Sequence, residues 1–340
     1  MESIRIAVDA MGGDNAPAAT IAGCADALAK GDARVHLLLV GQKDAIEAEL
    51  AKHSADKSRY TIIDAPEVIG TDEAPTAALR QKKNSSLVVG LNLVKSGDAG
   101  AFVSAGSTGA LLAGATLIVG RIKGVERPAL ATVLPNAKGW TFHIDVGANV
   151  DAKPSYLVQF AQMGAVYMES VMNVPNPRVG LINIGAEREK GNALTKETYE
   201  LLEAAQGINF TGNVEPRDLP LGAVDVAVCD AFVGNVILKY SEGFSKAMFG
   251  MIKEELMGGF ASKIGAALSK GAFGRLKKRF DYKEVGGAPF LGLNGLVVKA
   301  HGSSDARAFM NAIRQCCEFI DKDVTGKIAK NIQDNANKEA

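Results

Sequence analysis

Cysteine is scarce in this chain: Cys24, Cys229, Cys316 and Cys317 are the only ones. They form no C-x-x-C pair and no zinc-ligand spacing, and the adjacency of the last two is a poor geometry for a bridge. A disulfide-stapled scaffold is excluded, and a reducing cytoplasm is the expected setting. Net charge is also missing, because 38 Lys and Arg balance 38 Asp and Glu. No global field exists to hold the protein on nucleic acid or on an anionic membrane, so any such attraction must be local. Long apolar runs are absent too. The longest, residues 109–120, ends at Arg121, well short of the roughly 20 residues that span a bilayer. The amino terminus has no basic region ahead of an apolar core, so no signal peptide is expected.

What is present is 340 residues, 47% apolar and 22% charged, with 37 glycines. Such a chain buries a sizeable core and makes many tight turns. Its recurring unit is a short β-branched run, a loop of Gly, Asp, Asn and Ser, and then a segment of helical period, which is the grammar of a parallel α/β sheet. The strands read as residues 4–9, 35–40, 101–104, 142–145, 179–184, 224–229 and 296–300. Pro17 sits in the first turn of a helix that Gly31 stops. Six polar loops follow strands, at residues 9–15, 104–108, 145–151, 183–190, 230–235 and 301–304. In an open parallel sheet these share one edge, where ligands bind. Taken singly, each loop is more simply read as turn residues and helix caps.

One stretch, 256–283, departs from the pattern. Lys263, Lys270, Arg275, Lys277, Lys278 and Arg279 carry six positive charges, while Leu256, Phe260, Ile264, Ala267 and Leu268 fall on one helical face. A basic amphipathic segment suits a membrane surface or an acidic partner. A solvated helix packed on the body or on a second subunit explains the same pattern.

No G-x-x-x-x-G-K-[ST] loop, no G-x-G-x-x-G after the first strand, no G-x-S-x-G elbow and no H-E-x-x-H helix occurs. Nucleotide, dinucleotide, serine-hydrolase and zinc chemistries therefore lack their fingerprints. The loops do offer backbone N–H groups and small residues that let an anion approach, best in Ser104-Ala-Gly-Ser-Thr-Gly109. Ser107 and Thr108 open a helix there, as caps or as phosphate donors. Lys190 and Lys239, from different loops, are cations suited to phosphate or simply surface lysines.

Taken in order, the loops resemble the phosphate acyltransferase (PlsX) family of bacterial phospholipid synthesis. The matching strings are Val8-Asp-Ala-Met-Gly-Gly-Asp14, Val103-Ser-Ala-Gly-Ser-Thr-Gly-Ala-Leu111, Glu126-Arg-Pro-Ala-Leu130, Asp145-Val-Gly-Ala-Asn-Val-Asp151 and Pro175-Asn-Pro-Arg178. Leu181-Ile-Asn-Ile-Gly185, Lys190-Gly191, Cys229-Asp230, Gly234-Asn235 and Lys299-Ala-His-Gly302 continue the match nearly end to end. The resemblance implies one three-layer α/β/α domain over residues 1–340, with a mostly parallel sheet like isopropylmalate dehydrogenases and phosphotransacetylases and a helical projection at about 240–283. It implies transfer of a long acyl chain from acyl carrier protein to inorganic phosphate, for phosphatidic acid synthesis, by a homodimer on the inner face of the cell membrane. No cofactor, metal or nucleic acid partner is implied. Three residues depart from the family's usual pattern: Ala231 stands for Gly, Val233 for Thr and Ser107 for Asn.

A thioester is already activated, so positioning and electrostatics suffice without a covalent intermediate. The expected catalytic residues are Lys190, Asp230, Asn235 and His301. Lys190 holds phosphate and pairs with Asp230, Asn235 or a backbone amide steadies the oxyanion, and His301 protonates the departing thiolate or merely fixes its loop. Gly12, Gly13, Asp14, Ser104, Gly106, Ser107, Thr108, Asp145, Asn149, Asn183 and Lys239 are expected around the substrate. Asp145 with Asp151 hints at a metal less strongly than at a structural carboxylate network. Phe260, Lys263, Ile264, Leu268 and Lys270 are the docking candidates for membrane or carrier. The competing readings are an NAD- and metal-dependent dehydrogenase of the same fold and a catalytically silent membrane scaffold.

Overall fold

The computed structural model describes residues 3–281 and 284–339. Its strands are β1 (Ile4–Asp9), β2 (Val35–Gly41), β3 (Tyr60–Asp64), β4 (Ala101–Ser104), β5 (Ala129–Asn136), β6 (Gly139–Ile144), β7 (Arg178–Ile182), β8 (Asn209–Val214), β9 (Val226–Val228), β10 (Ala288–Leu291) and β11 (Leu296–Lys299). The helices are α1 (Ala18–Lys30), α2 (Lys43–Leu50), α3 (Pro75–Gln81), α4 (Ser86–Lys95), α5 (Thr108–Gly114), α6 (Pro154–Ser170), α7 (Ala193–Ala204), α8 (Ala231–Met257), α9 (Phe260–Arg279), α10 (Ala306–Asp321) and α11 (Val324–Glu339).

The strands make one sheet in the order β3-β2-β1-β4-β11-β10-β5-β6-β9-β7-β8. Alternation along each strand feeds two cores. Ile6 and Val8 of β1 and Leu37 and Leu39 of β2 face α1, α2, α6, α10 and α11, whereas Ala7, Leu38 and Val40 face α3, α4 and α5. The result is the expected three-layer α/β/α arrangement.

The sheet is mostly parallel, but its reversals change where the loops go. β3, β2, β1, β4 and β11 run one way; β10 opposes β11 and β5, and β5 opposes β6, with which β9, β7 and β8 run parallel. The carboxyl ends of β1, β4 and β11 therefore lie on one edge and those of β6, β7 and β9 on the other. The expectation that all six polar loops share one edge is corrected: they form two sets of three, because β10 and the β5–β6 hairpin intervene.

The basic stretch is also not one helix. Leu256 lies in the last turn of α8, Gly258 and Gly259 interrupt the helix, and Phe260 starts α9, so the expected apolar face is divided between two helices. Lys283 lies outside the described residues. No residue of α9 is buried, and Phe260 and Leu268 are 82% and 84% exposed. Two of its cations turn back to the body: Lys278 pairs with Glu284 at 3.6 Å, and Arg279 donates to the Asn136 carbonyl. No described helix is long and apolar enough to cross a membrane.

Candidate active site

The first edge is built on Asp9, the buried last residue of β1. Its Oδ1 accepts the N–H groups of Met11 and Gly12 at 3.1 Å, and its Oδ2 accepts the Ser104 hydroxyl at 2.7 Å. Ser104 Oγ in turn accepts the Gly106 N–H at 3.1 Å. Gly12 must be glycine, since a Cβ there would lie 2.5 Å from Asp9 Oδ2 and 2.7 Å from the Gly106 nitrogen. The β11 loop joins through the Asp14 N–H, which donates to the Gly302 carbonyl at 2.8 Å. Gly12, Ser104 and Gly106 are thus knitted together through Asp9, and Asp14 to the β11 loop through its backbone. Ser107 caps α5, accepting the Ala110 N–H at 3.4 Å, and Thr108 is the first residue of that helix. His301 Nδ1 accepts the Ser303 N–H at 3.2 Å, which assigns the ring proton to Nε2.

The second edge centres on Asp145, fully buried at the end of β6. Oδ1 accepts the N–H groups of Leu130, Gly147 and Ala148, and Oδ2 accepts the N–H and the Nδ2 of Asn149. Burial raises its pKa against the pull of these donors. Five donors leave no lone pair for a metal, and among the described residues no group of three or more His, Cys, Asp or Glu is placed to hold one. Asn149 passes the order on, because its carbonyl accepts the Ala231 N–H at 2.9 Å at the start of α8. Asp230 caps that helix through the Val233 N–H at 2.9 Å. Ala231 has helical rather than positive φ, so that departure carries no backbone strain, and residue 233 makes its bond to Asp230 through its backbone. Gly234 lets α8 close on the sheet, since a Cβ would fall on the Asp145 carbonyl. Asn183 Nδ2 donates to the Lys190 carbonyl at 3.0 Å, shaping the adjoining β7 loop. Lys190 itself is exposed, and among the described residues it has no carboxylate within ion-pair distance, so the expected Lys190–Asp230 pair is not formed.

The two edges meet at a cavity of about 950 Å³ over β5 and β10, roofed by α8. Thr108, Lys299, His301 and Gly302 reach it from the first set, and Gly147, Asn235 and Lys239 from the second. Asn235 and Lys239, four residues apart, share one face of α8. Most of the rest of the wall is apolar, including Leu130 and Leu134 of β5, Trp140, Leu219, Phe244, Met248 and Phe280, with Arg217, Glu242, Arg279 and Asp281 as its charged members. The other expected site residues do not line it.

Lys299 escaped the sequence reading as a site residue. Its ammonium donates to the carbonyls of Ala105 at 3.0 Å and Ala300 at 2.6 Å, and burial lowers its pKa to about 8 against the opposing charges of Asp9 and Asp14. The available signal was a cation closing the apolar run Leu296-Val-Val-Lys299. Among the buried groups, His143 is held neutral, its pKa lowered to about 4 by burial, and it contacts Cys229 Sγ at 3.4 Å.

Residues 4–327 match the family described as fatty acid synthesis protein. The chain belongs to that family. A relative from Clostridium perfringens called phosphate acyltransferase is 55% identical over 329 residues, 97% of each chain. Another of that name from Clostridium beijerinckii is 53% identical over 322 residues, covering 94% of this chain and 96% of its own. Among solved structures, a phosphotransacetylase from Streptococcus pyogenes superposes with a TM-score of 0.63 at 17% identity over 94% of both chains. A branched-chain phosphotransacylase from Enterococcus faecalis gives 0.55 at 13% identity, over 93% of this chain and 99% of its own. At those identities the structures speak to the fold, which this family member shares.

Proposed function

We propose that this chain transfers a fatty acyl group from the thioester of acyl carrier protein to inorganic phosphate. One observation carries the reading: a single cavity joins a polar flank of Thr108, Asn235, Lys239, Lys299 and His301 to an apolar end long enough for a fatty tail. From Asn235 to Met248 α8 rises about 20 Å, against about 15 Å for one leaflet's share of a bilayer core. The relatives' name supports phosphate as acceptor.

A phosphate oxygen adds to the thioester carbonyl carbon, the C–S bond breaks, and the proton of hydrogen phosphate ends on the departing sulfur. Acyl phosphate and carrier thiol then account for every atom. Asn235 donates to the developing oxyanion, a kind of contact worth on the order of 10²- to 10³-fold in rate. His301, on the cavity wall, hands a proton to the leaving thiolate, with the phosphate proton restoring the ring. Lys190, exposed on the β7 loop, adds a mobile cation for the incoming phosphate, while Asp230 acts by capping α8 and so placing Asn235. The carrier and an anionic membrane surface meet the exposed Phe260, Ile264 and Leu268 with Lys263 and Lys270 on α9, and a second copy covers Phe232, Val236 and Tyr240 on α8.

Mixing the protein with acyl carrier thioester and phosphate and trapping the product with hydroxylamine tests the reaction. Acyl hydroxamate formed only when phosphate is present supports it; thioester consumption independent of phosphate refutes it. For docking, Phe260→Glu with Ile264→Glu is expected to release the protein from anionic vesicles while soluble turnover survives, and unchanged vesicle binding contradicts that assignment.

A further inference from the structure

We propose that Lys299 is a phosphate-binding residue of the active site, the ammonium that meets the acceptor dianion from the first edge of the cavity. The inference rests on the acyl-to-phosphate reading and deepens it. Register places Lys299 beside Ser104, the last residue of β4, so the amine starts at the floor of the polar flank. Among the described residues its ammonium donates to two carbonyls only, Ala105 and Ala300, which leaves a third N–H for a ligand, and Lys299 is one of the residues lining the cavity. The Ala105 carbonyl belongs to the loop that carries Ser107 and Thr108, so the same ammonium holds that loop in place. Thr108 lines the cavity with it and offers a hydroxyl.

The charges around it explain why a ligand is wanted. Asp9 and Asp14 face Lys299 from the β1 loop, His301 follows it on its own loop, and Lys239 reaches the cavity from α8. Burial outweighs the two carboxylates and lowers the amine to about 8. A bound dianion reverses that balance by favouring the charged amine. Phosphate binding and protonation of Lys299 are therefore linked, and phosphate binding weakens as the free amine loses its proton.

The test is the phosphate KM of the wild-type enzyme and of Lys299→Arg and Lys299→Met between pH 7 and 9.5, with inorganic phosphate as probe and hydroxamate as readout. Phosphate keeps its charge over the upper half of that range. The wild-type phosphate KM is expected to rise by about tenfold or more from pH 8 to 9.5, as expected for an amine titrating near 8, with the KM for the acyl donor steady. Lys299→Arg, charged throughout, is expected to flatten the profile. Lys299→Met is expected to raise the phosphate KM at least about tenfold at pH 7, the loss of a charged hydrogen bond. A wild-type phosphate KM that is flat with pH overturns the proposal without needing either variant to fold. So does a Lys299→Met enzyme with ordinary phosphate KM. Absence of hydroxamate from the wild type is a different failure, that of the acyl-transfer reading itself.

Discussion

Replacing Ser104 with alanine tests the knit of the first edge. The hydroxyl serves two buried groups at once, donating to Asp9 Oδ2 at 2.7 Å and accepting from the Gly106 N–H at 3.1 Å. Ser104 is wholly buried, so water does not substitute for it. Each orphaned polar group costs about 1–3 kcal/mol, so the two together set the loss at about 2–6 kcal/mol, a large share of the about 5–15 kcal/mol that holds most domains folded. Ser107→Ala is the control. That hydroxyl caps one N–H at 3.4 Å, and a lost cap costs about 1 kcal/mol. Urea midpoints read at constant m should rank Ser104→Ala well below Ser107→Ala. The freed 104–108 loop should also raise the phosphate KM, because Thr108 loses its fixed place on the cavity wall. A Ser104→Ala enzyme within about 0.5 kcal/mol of wild type, the range of ordinary surface changes, with unchanged phosphate KM, refutes the argument.

Three further outcomes are expected. Gly234→Ala puts a methyl group onto the Asp145 carbonyl and should collapse thermal stability and activity together, whereas Gly243→Ala, with nothing within 4 Å of its Cβ, should stabilise α8 by about 0.5–1 kcal/mol; equal melting temperatures would contradict the packing. His143 titrates near 4 when folded and near 6.5 when unfolded, so the unfolded chain binds the extra proton and stability falls as pH drops from 6.5 to 4. The loss is of the order of 3 kcal/mol, read as a urea midpoint that declines less in His143→Gln; parallel declines would sink it. Leu134→Trp, which fills part of the apolar end, should move donor preference toward shorter acyl chains, and an unaltered ranking of donors by kcat/KM would put the tail elsewhere.

Much of this was legible in the amino-acid order. β1, β2 and β4 are mostly apolar runs, broken only by Arg5 and His36, and Asp9 and Ser104, which end β1 and β4, do shape the loops. The strands that reverse the sheet carry little signal: β10 is a four-residue Ala-Pro-Phe-Leu, and β5 ends in Pro135 and Asn136. Missing them hides the reversal, and with it the separation of the loops into two edges. Gly258 and Gly259 carried a signal for the break between α8 and α9, since paired glycines punctuate helices, but the reading of 256–268 as one helical face passed over it. Lys299 stayed hidden because a lysine at a strand end is usually a surface residue, and only its neighbours in three dimensions make it otherwise. Ala231 and Val233 illustrate the converse. The helix-start bonds at both positions are made by the backbone, so the side-chain departures leave them in place.

The most direct measurement is a structure of the protein with phosphate and a thioether analogue of the acyl donor that cannot react. The tail is predicted between β5 and α8, against Leu134, Trp140 and Phe244, with phosphate in hydrogen-bond reach of Lys299 and Thr108. A tail lying on the outer surface of α9, or phosphate bound away from both residues, would contradict the account.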